Sequence, residues 1–168
     1  MPDAPLYVVS GCLAGLACRY DGGSNPCAAV IRLVEEGRAV PVCPESLAGL
    51  SVPRLPCELA GGRVLSQDGR DLTESFLRGA QLALSAAQRC GCTAAILKSR
   101  SPSCGFGQIY DGTFSRRLCP GEGIWARLLR EAGFALFSEE RLPPGLGGKD
   151  ATNPGTVISP HQEYGAPS

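Results

Sequence analysis

Residues 6–15 are Leu-Tyr-Val-Val-Ser-Gly-Cys-Leu-Ala-Gly, a short run of β-forming apolar residues that leads into a glycine-rich loop. Three further apolar runs have the same character, and the four together are residues 6–9, 39–42, 94–97 and 134–137. Each run is too short for a helix and is bounded by turn residues. Because continuous apolar runs of this length are typical of strands buried on both faces of a sheet, we predict four core strands.

Segments of helical period lie between these strands, and each is closed by a glycine suited to the position after a helix, namely Gly37, Gly91 and Gly133. The longest segment has apolar residues three and four positions apart over 72–87, with Asp71 as its N-cap and Glu74 three residues further on. Alternating strands and helices are typical of a parallel sheet with right-handed crossovers. We therefore predict an α/β fold, a small Rossmann-like three-layer sandwich with a mainly parallel four-stranded sheet.

Two insertions interrupt the alternation, and both predict β-hairpins. Residues 50–70 contain an edge strand or hairpin around 63–65, and residues 109–114 predict a second hairpin that turns at an Asp-Gly pair. From residue 143 onward the chain is rich in Pro and Gly and poor in apolar residues. We expect one α/β domain over residues 1–142 and a C-terminal tail over 143–168 that lies outside the core.

The length and charge of the chain limit its function classes. Its 168 residues predict one domain, and 16 Lys and Arg residues balance 16 Asp and Glu residues. A net charge of zero argues against a protein that binds large nucleic acids through positive potential. No apolar run approaches the roughly 20 residues of a membrane span, and the N-terminus does not resemble a signal peptide. We expect a cytoplasmic protein without a membrane partner.

The cysteine content points to chemistry. The chain has nine Cys and one His, an odd cysteine count that does not suit a disulfide framework in a reducing compartment. Reduced cysteine-rich domains more often use their thiols for metal binding or catalysis. With a single His, a zinc site of mixed Cys and His ligands and a histidine acid–base mechanism are both disfavoured.

Three cysteines follow three of the predicted strands. Cys12 follows the first strand, Cys43 the second and Cys104 the third. Because ligands bind at the carboxyl ends of parallel strands, these loops are expected to deliver three thiolates to one edge of the sheet. Three thiolates without His favour an iron–sulfur cluster over zinc, which prefers four protein ligands in structural sites.

Other interpretations of the cysteines stay open at this point. The three could be small buried apolar residues, as free cysteines often are. Cys18 and Cys57 lie on loops near the same edge and are candidates for a fourth ligand. The remaining cysteines are interpreted as packing or helix-end residues: Cys27, Cys90, Cys92 and Cys119.

Polar residues beside these cysteines supply the candidate acid–base groups. Glu45 lies two residues after Cys43 and is the best candidate for a general base, with a helix N-cap or a surface carboxylate as the alternative. Ser101 and Ser103 flank Pro102 and either relay a proton, bind a substrate oxygen or simply form a turn.

Charged residues are also found near this edge. Arg19 and Asp21 open the sequence Arg-Tyr-Asp-Gly-Gly, which either gathers an anion or forms an ordinary turn. Lys98 and Arg100 follow the third strand and either add charge at the edge or cap the strand.

Taken in order, these motifs resemble the thiouracil desulfidase family, formerly known as a domain of unknown function. The resemblance covers roughly residues 6–142 and rests on Cys12-Leu13-Ala14-Gly15, Arg19-Tyr20-Asp21-Gly22-Gly23, Val42-Cys43-Pro44-Glu45, Lys98-Ser99-Arg100-Ser101-Pro102-Ser103-Cys104-Gly105, Ile109-Tyr110-Asp111-Gly112-Thr113-Phe114 and Phe137-Ser138-Glu139-Glu140. Ala14 stands where this family usually has Leu.

The resemblance implies a [4Fe–4S] cluster held by Cys12, Cys43 and Cys104, with Glu45 and Ser101 at catalytic positions. It implies a non-redox reaction in which the thiocarbonyl of a thiolated uracil becomes a carbonyl and hydrogen sulfide is released. The expected partner is a small thiolated pyrimidine, as base, nucleoside or nucleotide, and Ser103, Asp21 and Arg19 are the expected substrate-binding residues. The alternative is an iron–sulfur or zinc-binding module without catalysis.

Overall fold

Strands and helices alternate along the chain. The computed structural model describes residues 5–146. In chain order the elements are β1 (Tyr7–Ser10), α1 (Ala28–Glu35), β2 (Ala39–Val42), α2 (Pro44–Leu47), β3 (Cys57–Ala60), β4 (Arg63–Ser66), α3 (Thr73–Arg89), β5 (Ala94–Leu97), β6 (Phe106–Tyr110), β7 (Leu118–Glu122), α4 (Ile124–Glu131) and β8 (Ala135–Ser138).

The central sheet has the strand order β2-β1-β5-β8, and all of its neighbouring strands pair in parallel. These are the four predicted strands, with β1 and β8 each displaced by one residue toward the C-terminus. The chain passes from β1 to β2 on one side and later enters β5 on the other side of β1, so the strand order reverses at β1. The prediction of a mainly parallel four-stranded α/β sheet is confirmed.

Helices cover both faces of the sheet and form two core layers. On one face, Phe76 of α3 and Trp125 of α4 pack with Val8 of β1. On the other face, Val30 of α1 packs with Val9, the next residue along β1. Successive residues of a strand point to opposite faces, so burial on both faces requires the continuous apolar runs that the sequence shows. The three-layer arrangement follows.

For the longest helix, α3, the predicted C-terminal glycine is confirmed and the predicted N-cap is wrong. At its C-terminus, Gly91 has φ +78°, and the N–H groups of Gly91 and Cys92 donate to the carbonyls of Gln88 and Ala87. This is the glycine-closed turn expected there. The predicted N-cap, Asp71, is not the cap.

At the N-terminus of the same helix, α3 begins at Thr73 and Leu72 occupies the N-cap position. Asp71 instead pairs with Leu65 as an isolated antiparallel bridge, and its Oδ1 accepts the Thr73 N–H at 2.9 Å. Because Asp71 is held beside β4 in this way, the helix starts later than the sequence pattern indicates.

Both insertions form hairpins, but the second differs from its prediction. Strands β3 and β4 pair antiparallel, as do β6 and β7. The Asp111-Gly112 pair opens a longer loop over 111–117 and is not a tight turn between adjacent strands. The side chain of Glu58 accepts the N–H groups of Gly112 at 2.9 Å and Phe114 at 3.1 Å, which holds this loop against β3.

The end of the described chain lies against the sandwich. Leu142 and Leu146 pack partly against the core layer beneath α1, and the Leu146 N–H donates to the Pro143 carbonyl. The remainder of the predicted tail, 147–168, lies outside the described residues. Within residues 5–146, no helix has the length and apolar character needed to cross a membrane.

Candidate active site

A cleft opens at the carboxyl edge of the sheet, between the loops that follow β1, β2 and β5, and spans about 720 Å³, which includes space open to solvent. It lies where the strand order reverses at β1. In open α/β sheets this is the place where neighbouring loops diverge and leave a crevice for a ligand.

The three predicted ligand cysteines all line this cleft. Cys12 lies in the short 3₁₀ turn Gly11–Ala14 after β1, Cys43 is the N-cap residue of α2, and Cys104 lies between β5 and β6. Cys12 and Cys104 are buried, whereas Cys43 is half-buried. Three adjacent strands thus each bring one thiol to the same cleft.

The thiols of these three cysteines interact electrostatically. Burial raises the pKa of Cys104 well above its ordinary value, and the charges of Cys12 and Cys43 raise it further, against a lowering hydrogen bond with Ser10. Among residues 5–146, no group of three or more His, Cys, Asp or Glu side chains has the spacing needed for one metal ion.

Two further cysteines, Cys18 and Cys57, line the same cleft. A hydrogen bond with Cys18 lowers the pKa of Cys43 to about 6, and the same contact raises the pKa of Cys18 far above its ordinary value. The contact therefore favours the negative charge on Cys43 over a charge on Cys18. Burial raises the pKa of Cys57 to about 12, so this thiol stays protonated near neutral pH.

The loop that carries Cys104 is fixed by hydrogen bonds to its own backbone. Ser101 Oγ accepts the N–H groups of Ser103 and Cys104, both at 3.1 Å. The Ser103 carbonyl accepts the N–H groups of Trp125 and Ala126 in the first turn of α4 at 2.9 and 3.1 Å. These bonds satisfy helix amides that lack partners within the helix, and they hold Cys104 in place.

Glu45 lies in the first turn of α2 and lines the cleft. Its Oε1 accepts hydrogen bonds from Arg54 Nε at 3.0 Å and Arg54 Nη2 at 2.7 Å. Its Oε2 accepts the hydroxyl of Ser103 at 2.9 Å. The carboxylate is neither a helix cap nor a free surface group, because both of its oxygens are held by neighbouring side chains.

The predicted substrate-binding residues fall into two groups. Arg19 lines the cleft, and its guanidinium bonds both carboxylate oxygens of Asp21 at 3.2 Å and Asn25 Oδ1 at 2.7 Å. Asp21 also accepts the Gly23 N–H at 2.9 Å, which forms the turn that the sequence indicates. Asp21 therefore orients Arg19, while Ser103 is buried behind Glu45.

A buried ion pair lies at the ends of β5 and β8, beside the cleft. Lys98 Nζ is 3.3 Å from Glu139 Oε2, and the two side chains are 4% and 0% exposed. The same carboxylate accepts the Ser99 N–H at 2.9 Å and the Ser99 hydroxyl at 2.7 Å. Lys98 is thus fixed internally, whereas Arg100 pairs with the exposed carboxylate of Glu140 at 3.0 Å.

Sequence reasoning missed Arg54, Asn25 and Glu139 as parts of this region. Arg54 belongs to an irregular segment without hydrophobic period, and its pairing with Glu45 depends on the path of that segment. Glu139 follows the fourth strand, so its place at the carboxyl edge was a usable signal. Asn25 carried no signal, because its contact with Arg19 arises within a loop.

Comparison with known proteins places this arrangement in a family. The model of the family described as 2-thiouracil desulfurase matches residues 7–141, a range that includes every cysteine of the cleft. The chain belongs to the 2-thiouracil desulfurase family. This confirms the resemblance stated from the sequence motifs.

Two similar proteins illustrate the match. The chain is 41% identical over 147 residues to the uncharacterized protein YbbK of Bacillus subtilis (strain 168), covering 82% of this chain and 97% of that protein. It is also similar to a solved structure of TudS, described as a [4Fe-4S]-dependent thiouracil desulfidase, with 44% identity and a TM-score of 0.79. That match covers 83% of this chain and 93% of TudS.

Proposed function

We propose that this chain is a [4Fe–4S]-dependent enzyme that removes sulfur from thiolated uracil and releases hydrogen sulfide. The observation that carries the proposal is the meeting of Cys12, Cys43 and Cys104 with Glu45 in one cleft of a 2-thiouracil desulfurase fold. The described [4Fe-4S] dependence of TudS supports the choice of cofactor.

The cysteines of the cleft fit such a cluster. The charges of Cys12 and Cys43 raise the pKa of the buried Cys104 thiol, so a positively charged group beside these sulfurs would favour its thiolate. Cys12, Cys43 and Cys104 would hold such a cluster, because cysteine thiolates are the usual ligands of iron–sulfur clusters. When bound by three cysteines, the cluster would supply an iron without a protein ligand, a Lewis acid for a sulfur atom.

The reaction is a balanced exchange with water. The C=S carbon of the thiopyrimidine accepts the oxygen of a water molecule, the C=S bond breaks, and both water protons leave with the sulfur as hydrogen sulfide. The products are the uracil carbonyl and hydrogen sulfide, with no electrons gained or lost. We assign the general base to Glu45, whose carboxylate lines the cleft and accepts the first proton of the water.

Ser101 is proposed as the hydrogen-bond donor to the substrate. Both acceptor lone pairs of its hydroxyl are taken by the N–H groups of Ser103 and Cys104. The O–H of Ser101 is therefore left to donate, and Ser101 lines the cleft. A donor in that position supports the ring nitrogen or the exchanged heteroatom as its charge grows.

The substrate class is a small thiolated pyrimidine, taken as base, nucleoside or nucleotide. Arg19 is proposed to contact it from one wall of the cleft, with Asp21 and Asn25 holding the guanidinium. Ser103 is proposed to support the same site by binding Glu45. We propose that the protein acts in the cytoplasm, without a large nucleic acid as partner.

One observation favours a second candidate, an iron–sulfur module without catalysis. Cys18 is hydrogen-bonded to Cys43 and lines the cleft, so it is in reach of becoming a fourth protein ligand. A cluster with four protein ligands would leave no iron open to substrate.

The test is anaerobic reconstitution of the full chain with iron and sulfide, followed by incubation with 2-thiouracil, 4-thiouracil and their nucleosides and nucleotides. We expect stoichiometric release of hydrogen sulfide and of the uracil product from at least one of them. A chain that carries a full cluster and releases no sulfide from any of these compounds would establish the non-catalytic module instead.

A further inference from the structure

Arg54 links three separate parts of the cleft wall. Besides its two bonds to Glu45, its Nη2 donates to the Cys18 carbonyl at 3.1 Å and its Nη1 to the Ser51 carbonyl at 3.0 Å. Its own backbone N–H donates to the Tyr20 carbonyl at 2.7 Å. The guanidinium therefore has a fixed position relative to the loop after β1 and to α2.

The ion pair between Arg54 and Glu45 is largely shielded from water. The two side chains are 10% and 16% exposed. At this burial, removing one partner leaves the other with a desolvated charge, unlike at an exposed pair where the coupling is weak. The pair is thus a constraint on the orientation of the Glu45 carboxylate.

The hydrogen bonds of Glu45 leave one acceptor position. A carboxylate oxygen offers two lone-pair directions. On Oε1 both are taken by Nε and Nη2 of Arg54, and on Oε2 one is taken by the Ser103 hydroxyl. The second lone pair of Oε2 is what remains for the proton of an attacking water.

We propose that Arg54 is a positioning residue that fixes the Glu45 carboxylate so that Oε2 is the proton-accepting atom. This inference rests on the proposed function. Arg54 acts by saturating Oε1 and preventing rotation of the carboxylate, and Ser103 completes the constraint on Oε2. The planar guanidinium suits this task, because two of its N–H groups reach one oxygen while a third direction holds the Ser51 carbonyl.

The experiment compares Arg54→Met and Arg54→Lys with Arg63→Met, which removes an exposed arginine of β4 that pairs with Asp71. Each variant is reconstituted anaerobically, and its iron content, melting temperature, kcat and KM are measured. We expect Arg54→Met to load iron, to lower kcat by about 10²-fold and to leave KM within about twofold, because misplacement of a catalytic group costs that much. The kcat of Arg54→Lys should lie between that of Arg54→Met and that of the wild type.

A double-variant cycle separates positioning from a purely structural role. If Arg54 acts through Glu45, the Glu45→Gln/Arg54→Met double variant should be no slower than Glu45→Gln alone, because residues that act as a unit are non-additive. Added guanidinium ion should restore part of the kcat of Arg54→Met and none of that of Glu45→Gln.

Several outcomes would overturn the assignment. Losses of kcat that multiply in the double variant would overturn it, and so would an unchanged kcat in Arg54→Met. A rise of KM in Arg54→Met by the same factor as the fall of kcat would also overturn it, because Arg54 would then be a substrate ligand. If Arg54→Met does not load iron, the same test uses the kcat of Arg54→Lys and of Glu45→Gln/Arg54→Lys. Losses of kcat that multiply would again overturn the assignment. Wild-type protein that releases no sulfide would refute the proposed function itself, which is a different result.

Discussion

Ser103 Oγ and Glu45 Oε2 lie 2.9 Å apart although the two residues are 58 positions apart in the chain. This bond joins the loop after β5, which carries Cys104, to the helix that begins after Cys43. The candidate base and two of the candidate cluster ligands are therefore parts of one connected unit, and the predictions below test its members separately.

Glu45→Gln keeps the size and most of the hydrogen bonds of the side chain but cannot accept a proton from water. We expect full iron loading and a loss of roughly 10²–10⁴-fold in kcat, the range typical of removing a general base. The measurement is sulfide release by reconstituted enzyme, with Glu131→Gln at the exposed end of α4 as the control. Wild-type turnover in Glu45→Gln would reassign the base.

Cys104→Ala removes a buried thiol that lines the cleft, and we expect this variant to bind little iron. The matched control is Cys27→Ala, which also removes a fully buried cysteine but lies in the core layer beneath α1. The measurement is iron and acid-labile sulfide per chain after anaerobic reconstitution. A full complement of both in Cys104→Ala would exclude this residue as a ligand.

Cys18→Ala distinguishes the enzyme from the non-catalytic module. With three cysteine ligands, loss of Cys18 leaves the cluster in place, and we expect iron content equal to that of the wild type. Sulfide release should also persist, since Cys18 has no assigned part in the reaction. Loss of iron together with an electronic spectrum altered from the wild type would identify Cys18 as a fourth ligand.

Lys98→Met leaves the carboxylate of Glu139 buried and without its cation. We expect the free energy of unfolding of the apoprotein to fall by about 3–5 kcal/mol, as is typical when one partner of a buried pair is removed. The double variant Lys98→Met/Glu139→Gln should recover much of this loss. Arg63→Met, at an exposed pair, should cost about 0–1 kcal/mol.

Urea denaturation followed by the fluorescence of Trp125 gives these values, since it is the chain's one tryptophan and is fully buried. Equal losses of unfolding free energy in Lys98→Met and Arg63→Met would show that the buried pair contributes no more to stability than the exposed one.

We expect Glu58→Gln to change the free energy of unfolding by an amount that depends on pH. Burial raises the pKa of Glu58, the charge of Asp111 adds to this, and the N–H groups of Phe114 and Gly112 oppose it. Because the folded pKa lies above the unfolded one, the stability that this group contributes is present in acid and is lost as the pH rises through the folded pKa.

The glutamine variant keeps an acceptor for the two amides and carries no charge. We therefore expect the free energy of unfolding of the variant, minus that of the wild type, to be larger near pH 7.5 than near pH 4. These two pH values lie on either side of an ordinary glutamate pKa of about 4.3. A difference that is constant over this range would contradict the assignment of a buried, costly charge.

The sheet and the position of the cleft were predictable from the sequence, because both follow from rules that need no side-chain detail. Apolar runs bounded by turns locate strands such as Ala94–Leu97, and parallel connections place the ends of these strands on one edge. The three cysteines follow strand ends, so their shared cleft follows from connectivity alone. Family membership, inferred from the same motifs, is confirmed by the match over residues 7–141.

What the sequence could not supply depends on the paths of irregular segments. Arg54 lies between α2 and β3, where no period indicates which way a side chain points, so its contact with Glu45 had no local signal. Glu58 looks like an ordinary charged residue of a short strand, yet it is buried because the two hairpins pack together. The hairpin loop at Asp111 is longer than predicted because these same long-range bonds hold it.

The backbone bonds between the Cys104 loop and α4 bear on how the protein survives damage. The carbonyls of Pro102, Ser103 and Gly105 accept the N–H groups that open α4, so the loop keeps its shape through contacts that involve no metal. A cluster destroyed by oxygen would leave behind a pocket that is still assembled. We therefore expect added iron and sulfide to rebuild a cluster here without refolding of the chain.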